Sequence, residues 1–244
     1  MIRLEGVSKR FDRAVLSDVH LHVPESCLFG LIGPGASGKS LLLRMITGLM
    51  RPDSGQVTVG GEDVLAMGDM QLHAYRKRIG MLFQNNALFD FMSVAENIAF
   101  PLRRLFDLSE AEISARVAER LSRVDLPGFE ARLPAGLSGG QKKRVGVARA
   151  TVTRAPIVLY DEPAAGLDPV TSQKIFDLLR AEQRAESSTV IMVSSDLDRL
   201  LTVTDRVGMM LGGRLIFEGT TDQAKTASDP RVHQFVHGNV DGPL

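Results

Sequence analysis

The 244-residue chain is long enough to bury a sizeable core, and its 29 Lys plus Arg balance 29 Asp plus Glu, which excludes bulk electrostatic attraction to nucleic acid or anionic lipid. One cysteine, Cys27, excludes an intrachain disulfide and points to a reducing compartment. No apolar run approaches the roughly 18 residues of a spanning helix, and the opening MIRLEGVSKRF is not a signal peptide, so any business with a membrane is expected to run through a partner.

In DVHLHVP, Val19, Leu21 and Val23 share one face while Asp18, His20 and His22 share the other, which predicts a half-buried strand. His20 and His22 lack a nearby third ligand and read as solvent-facing strand residues rather than a zinc pair. CLFGLIG is a short apolar run of the kind a buried parallel strand needs, and LLLRMITGLM after it reads as a helix. Arg51-Pro52-Asp53-Ser54-Gly55 is a turn before the strand QVTVG, and IGMLF is another buried strand.

From about Asn85 to Ala150 the pattern turns helical. SVAENIAFPLRRL reads as a helix broken or kinked near Pro101. Ile113, Val117, Leu121 and Val124 recur at helical spacing behind a capping box of Ser109 and Glu112. PIVLYDE and STVIMVSS are buried strands flanking the amphipathic helix DPVTSQKIFDLLRAEQ. The order predicts an α/β fold, a parallel sheet carrying a helical lobe. QKKRVGVAR reads as a solvated helix face rather than a nucleic-acid patch, and the tail after Asp229 has too few apolar residues to fold by itself.

The chemistry begins where CLFGLIG ends. Gly33-Pro34-Gly35-Ala36-Ser37-Gly38-Lys39-Ser40 is G-x-x-x-x-G-K-[ST], the P-loop, placed between a strand and a helix as its mechanism requires. Its three glycines are expected to turn the backbone so that N–H groups face phosphates. Lys39 is expected to reach the β/γ-phosphates and Ser40 to offer a hydroxyl to Mg²⁺, with the positive end of the following helix behind them. IVLYDE ends an apolar strand on two carboxylates. Asp161 suits a magnesium role, and Glu162 suits polarising the attacking water.

A third motif, Leu137-Ser138-Gly139-Gly140-Gln141, precedes a helix and then Asp161. With these three motifs in order, essentially the whole chain resembles the ATP-binding cassette (ABC) ATPases. The resemblance implies a P-loop NTPase (RecA-like) parallel sheet core with an N-terminal antiparallel β subdomain and a helical subdomain. It implies a cassette over residues 1–228, with the helical part at about 86–150, and a C-terminal extension over 229–244. ATP and Mg²⁺ are the implied cofactors.

Residue by residue, Phe11 matches the aromatic that stacks on adenine, and residues 33–41, ending in Leu41, match the nucleotide loop. Gln84 matches the glutamine that senses Mg²⁺ and the attacking water and couples to a transmembrane partner. Ser138, Gly139, Gly140 and Gln141 match the signature that caps the γ-phosphate held by the opposite subunit. Asp168 in AAGLDP matches the loop joining the two sites of a dimer. The implied assembly is a head-to-tail homodimer with ATP sandwiched between subunits, bound to a permease, with no nucleic acid.

Two positions depart from the family's pattern. Leu41 stands where Thr is common after Lys-Ser, and Ser195 in MVSSD stands where a switch histidine normally follows the strand. A hydroxyl lost from a charged phosphate costs about 1.5–3 kcal/mol. A missing acid–base or positioning group in the transition state costs roughly 10²–10⁴-fold. With Glu162 in place, the expectation is a slow ATPase.

RIGMLFQNNALFDFMSVAENIAFPLR and DPRVHQF further resemble the cassette subunit of Mla-type (maintenance of lipid asymmetry) phospholipid transporters. That likeness implies a permease docking near Gln84 and the apolar loop of Ala87, Leu88, Phe89, Phe91 and Met92. It also implies an MCE-type lipid-binding protein, a small STAS-type accessory subunit, and a peripheral place on the cytoplasmic face of the inner membrane. The tail's Val232, Phe235 and Val236 are then expected to pack on the neighbouring protomer. Alternative readings are the ATPase of another importer, such as one for amino acids, or an ABC protein acting without a permease in translation or DNA repair. Against the last stand a single cassette and no coiled-coil or RNA-binding insert.

Overall fold

The computed structural model describes residues 1–244. In chain order it runs β1 (Ile2–Arg10), β2 (Ala14–Val23), β3 (Leu28–Ile32), α1 (Lys39–Ile46), β4 (Ser54–Val59), β5 (Glu62–Asp63) and α2 (Asp69–Arg76). There follow β6 (Ile79–Leu82), α3 (Val94–Leu105), α4 (Glu110–Arg123), α5 (Gly139–Thr151), β7 (Ile157–Asp161) and α6 (Pro169–Glu186). Last come β8 (Thr189–Val193), α7 (Leu197–Val203), β9 (Arg206–Leu211), β10 (Arg214–Thr220), α8 (Thr221–Lys225) and α9 (Pro230–His237). Two compact units emerge, residues Met1–Ala74 with Thr189–Leu244, and residues Tyr75–Ser188.

The first unit holds an antiparallel sheet in the order β2-β1-β4-β5. Its register sets Ile2 opposite Val23 and Val59, and Leu4 opposite Leu21 and Val57, so one face is wholly apolar and buried. The alternation read in β2 is borne out for Val19, Leu21 and Val23. His20 is exposed and bonds Asp18 at 3.0 Å, whereas His22 is only half-exposed, its N–H donating to Glu218 of β10. Beside this lies β3, paired in parallel with β8 and β9. Every residue of β3 and β8 is buried, which is why both read as unbroken apolar runs. The parallel pairing expected of the sheet holds for β3 with β8 and β9, while at the edge β10 runs antiparallel to β9.

The second unit pairs β6 and β7 in parallel and surrounds them with α3 to α6. The capping box of Ser109 and Glu112 opens α4 as expected. Of the break or kink expected near Pro101, the break does not occur: α3 runs continuously through it, because Ile98, Ala99 and Leu102 are buried around the proline and packing outweighs one lost helical bond. Arg120 of α4 is 1% exposed and pairs with Glu182 and, at 2.7 Å, with Glu186 of α6. Arg123 reaches Glu186 at 3.0 Å from the same helix.

The tail forms α9, packed on α8 of the first unit rather than folded as a separate piece. Asp229 accepts from the Arg231 N–H and caps α9, and Arg231 holds the Asp229 carboxyl down at a pKa of about 2. Val232 and Val236 are buried against this chain's own first unit, next to α8, so they are not available to cover a neighbouring protomer. Phe235 is half-buried. Gln234 then gathers the last residues, donating to the carbonyls of Asn239 and Val240 and accepting from the Leu244 N–H at 2.8 Å.

Candidate nucleotide site

Within each unit, parallel strands deliver their loops at one end, and several of the residues singled out in the sequence follow such ends, whereas Phe11 follows antiparallel β1 and Ser138 opens α5. The P-loop leaves β3, Ser195 lies just past β8, Gln84 just past β6, and Asp161 closes β7. Phe11, residues 33–41 and Ser195 belong to the first unit; Gln84, Asp161, Glu162, the signature and Asp168 belong to the second.

In the first unit the loop is shaped by its own backbone. Gly33 has φ 139°, and a Cβ there would sit 2.0 Å from the Met210 carbonyl oxygen of β9, so only glycine fits. At Gly35 a Cβ would meet nothing within 4 Å. The fold therefore does not demand glycine at 35, which corrects the expectation that all three glycines serve the turn. Its bareness leaves the outer rim of the loop open to a close-approaching ligand. Ala36 takes a left-handed φ of 59°, a strained choice for a residue with a Cβ.

The Lys39 ammonium lies over the loop, donating to the carbonyls of Gly33 at 2.7 Å and Pro34 at 2.8 Å and to the Ser37 hydroxyl at 3.2 Å. Ser37 and Gly38 are buried, while Pro34, Lys39, Ser40 and Leu41 are partly exposed. Phe11 is 54% exposed in a tight turn, with the Lys9 ammonium 5.6 Å from its ring centroid. Ser195 is exposed between buried Ser194, which accepts from the Asp196 N–H, and Asp196, which caps α7.

In the second unit the geometry is assembled from distant segments. Gln84 is exposed at the head of a loop whose Asn86 and Ala87 have φ of 60° and 50°. Arg149 of α5 donates to the carbonyls of Asn86 and, at 2.8 Å, Ala87. Lys143, two turns earlier on α5, donates to the carbonyl of Gln84 at 2.5 Å and to that of Glu162 at 3.2 Å. Burial pushes the Lys143 ammonium below its ordinary pKa, with the charges of Glu162 and Asp161 acting against that; burial also lowers Arg149. Asp161 is buried, and Glu162 has φ 50°. QKKRVGVAR is thus not wholly a solvated face. Lys143 is buried, and Lys143, Arg144 and Arg149 all donate to main-chain carbonyls, Arg144 also to the Asp125 carboxylate, while Lys142 and Arg144 stay half-exposed.

Ser138 and Gly139 stand exposed at the start of α5, where the Ser138 hydroxyl accepts from the Gln141 N–H and the Gln141 side chain accepts from the Ser138 N–H. Gly140 is partly exposed, and a Cβ there would meet Thr171 at 2.8 Å. Asp168 caps α6 by accepting from the Val170 and Thr171 N–H groups, and the Thr171 bonds hold its carboxyl below the ordinary value. Behind Gln84, a groove of about 280 Å³ is lined by Phe83, Ala87, Phe89, Phe100, Pro101 and Leu105. Phe91 is 78% exposed at its margin. Asn97, fully buried, fixes this loop by donating to the carbonyls of Phe89, Met92 and Ser93 and accepting from the Phe89 N–H. Asn97, Lys143 and Arg149 carry no signal in a sequence read by motif.

The donors offered by Ser40, Gln84 and Asp161 are all hard oxygens, as Mg²⁺ prefers, and there is no cluster of three His, Cys, Asp or Glu side chains that would suit a metal held by protein alone. A glycine rim open to phosphate and a lysine laid over it fit a triphosphate.

A family model described as ABC transporter matches residues 16–165, more than half of the chain. The chain belongs to the ABC transporter family. It has the cassette fold and is the ATP-binding, ATP-hydrolysing subunit, with ATP and Mg²⁺ as cofactors. It is 42% identical to the methionine import ATP-binding protein MetN of Caulobacter vibrioides over 91% of this chain and 68% of that protein. It is 36% identical to the intermembrane phospholipid transport system ATP-binding protein MlaF of Haemophilus influenzae over 97% of this chain and 89% of that protein. Among solved structures it resembles the dimeric ATP-binding cassette MJ0796 bound to ADP and Pi, with TM-score 0.84 and 30% identity over 91% of this chain and 99% of that one. It also resembles cbiO1 from Clostridium perfringens, part of the ABC transporter complex cbiONQ, with TM-score 0.85 and 26% identity over 98% of this chain and 95% of that one. Cassettes of this family dimerise and pair with a membrane permease. No helix of this chain is long and apolar enough to cross a membrane.

Proposed function

We propose that this ABC ATPase drives phospholipid transport between membranes. The observation that carries the reading is the alignment with the phospholipid-system protein, which spans 97% of this chain and 89% of that relative. The loop and groove around Phe89 and Phe91 support it as the place where a permease docks, at the cytoplasmic face of the inner membrane. In this reading residues 1–228 form the cassette, residues 229–244 an extension, and an MCE-type protein and a STAS-type subunit complete the machine.

Within the site, the backbone of 33–38 and Lys39 hold the β/γ-phosphates, and Phe11 stacks on the base. Ser40, Gln84 and Asp161 would hold Mg²⁺, which when bound would supply positive charge beside the phosphate oxygens. Glu162 polarises the attacking water and accepts its proton. Ser138 to Gln141 cap the γ-phosphate on a second copy of the chain, and Asp168 links the paired sites. Each chain carries one P-loop and one signature, so two antiparallel copies make two complete sites.

The 42% identity to the methionine import protein favours a second reading, an importer of amino acids. Reconstituting the chain with the permease that copurifies from detergent-solubilised membranes separates them. ATP-dependent transfer of labelled phospholipid between liposomes is expected. Uptake of labelled methionine without lipid transfer would overturn the phospholipid reading.

A further inference from the structure

A buried lysine is costly unless its charge and its donors are used. Lys143 is 4% exposed, and its ammonium reaches two main-chain carbonyls far apart in sequence, those of Gln84 and Glu162. Neither bond reads a side chain. Both fix backbone, at the two residues whose side chains would face the reacting water. Glu162 has particular need of a fixed backbone, because its φ of 50° is a conformation that persists only where surroundings over-determine it. The lysine itself is carried by α5, the helix whose first turn presents the exposed Ser138 and Gly139.

We propose that Lys143 is a positioning residue, a strut that locks the main chains of Gln84 and Glu162 to the signature helix. This rests on the roles given to Gln84 and Glu162 above. The strut makes three parts of the second unit move as one body. A shift of the 84–87 segment carries Glu162 with it, and with both goes the surface offered to the partner's nucleotide. Arg149 extends the same tie one step further, to Asn86 and Ala87. Nucleotide affinity, which belongs to the P-loop in the first unit, is outside its reach.

The test is steady-state ATPase on the intact chain with its permease, together with amide hydrogen exchange over residues 83–87 and 161–165. Lys143→Met removes both donors at similar length. It is expected to lower kcat roughly 10–100-fold, as misplacement of a catalytic group by about 1 Å does, while KM stays within about twofold. Exchange should rise in both segments together. Lys143→Gln, which keeps an uncharged amide donor one bond shorter in reach, should fall between wild type and Lys143→Met. A folded Lys143→Met or Lys143→Gln variant with wild-type kcat overturns the strut, as does exchange rising in one segment only. Glu162→Gln run alongside keeps the two readings apart. Hydrolysis that survives it removes the premise, whereas hydrolysis lost there but unchanged in Lys143→Met removes the strut alone.

Discussion

The P-loop and the Gln84–Glu162 region, the two parts of the proposed nucleotide site, are shaped by opposite means. In the first unit, eight consecutive residues take their shape from glycine conformation and from apolar strands packed beneath them. In the second, a strand end, a loop and a helix N-terminus that are far apart in sequence are fixed by cations donating to main-chain oxygens. The contrast teaches that a binding site can be written as a contiguous motif, whereas a site that must respond to partners is distributed and tied by buried polar bonds. Such ties are strong only when complete, since a buried group left unpaired costs more than the bond gained.

The sharpest way to break this comparison is Glu162→Gln. If the second unit supplies chemistry and the first supplies binding, the substitution should lower kcat roughly 10²–10⁴-fold with ATP affinity retained, measured by turnover and by equilibrium nucleotide binding. A fall in affinity as large as the fall in rate would erase the division of labour. Next in size is Arg120→Met. It leaves buried Glu182 only the longer 3.5 Å contact to Arg123 and should destabilise the chain by up to about 3–5 kcal/mol in urea unfolding, more than loss of an exposed pair such as Arg103–Glu110.

The paired substitutions Gly33→Ala and Gly35→Ala sharpen the other side. Gly33→Ala drives a methyl into the Met210 carbonyl and should lower stability by about 1–3 kcal/mol. Gly35→Ala meets nothing in the chain, so its melting temperature should be unchanged and any weakening of ATP binding reports contact with nucleotide. Last is Ser195→His. The exposed serine leaves room for an imidazole, and the expected gain is in kcat, several-fold or more, with KM nearly constant. A wild-type rate near the common enzyme value of about 10 s⁻¹, unimproved by histidine, would show that another residue performs that role.

Legibility followed the same divide. The P-loop, Asp161 and the Ser138 signature stood out because their residues are contiguous and their period or spacing is dictated by local geometry. The strands β3, β7 and β8 were legible for the same reason, as apolar runs. Lys143 and Arg149 read in the sequence as part of a solvated face, since a helix pattern records which residues are polar and not whether a carbonyl 59 or 62 residues away receives them. The continuity of α3 through Pro101 and the burial of Val232 and Val236 were hidden similarly, because both are decided by packing between distant segments. Gly35 was legible as part of a motif, but the reason for glycine there was not, since only the three-dimensional surroundings show that space is open.

Asn97 has a consequence for kinetics. Its four bonds freeze the backbone of residues 89–93 into one shape before any partner arrives, while Phe91 stays outward. A partner meeting a pre-shaped loop loses little conformational freedom in it, so association is free to proceed by rigid collision rather than by folding on contact. The heat capacity change on complex formation should then reflect buried apolar area alone, with no added contribution from ordering of the loop.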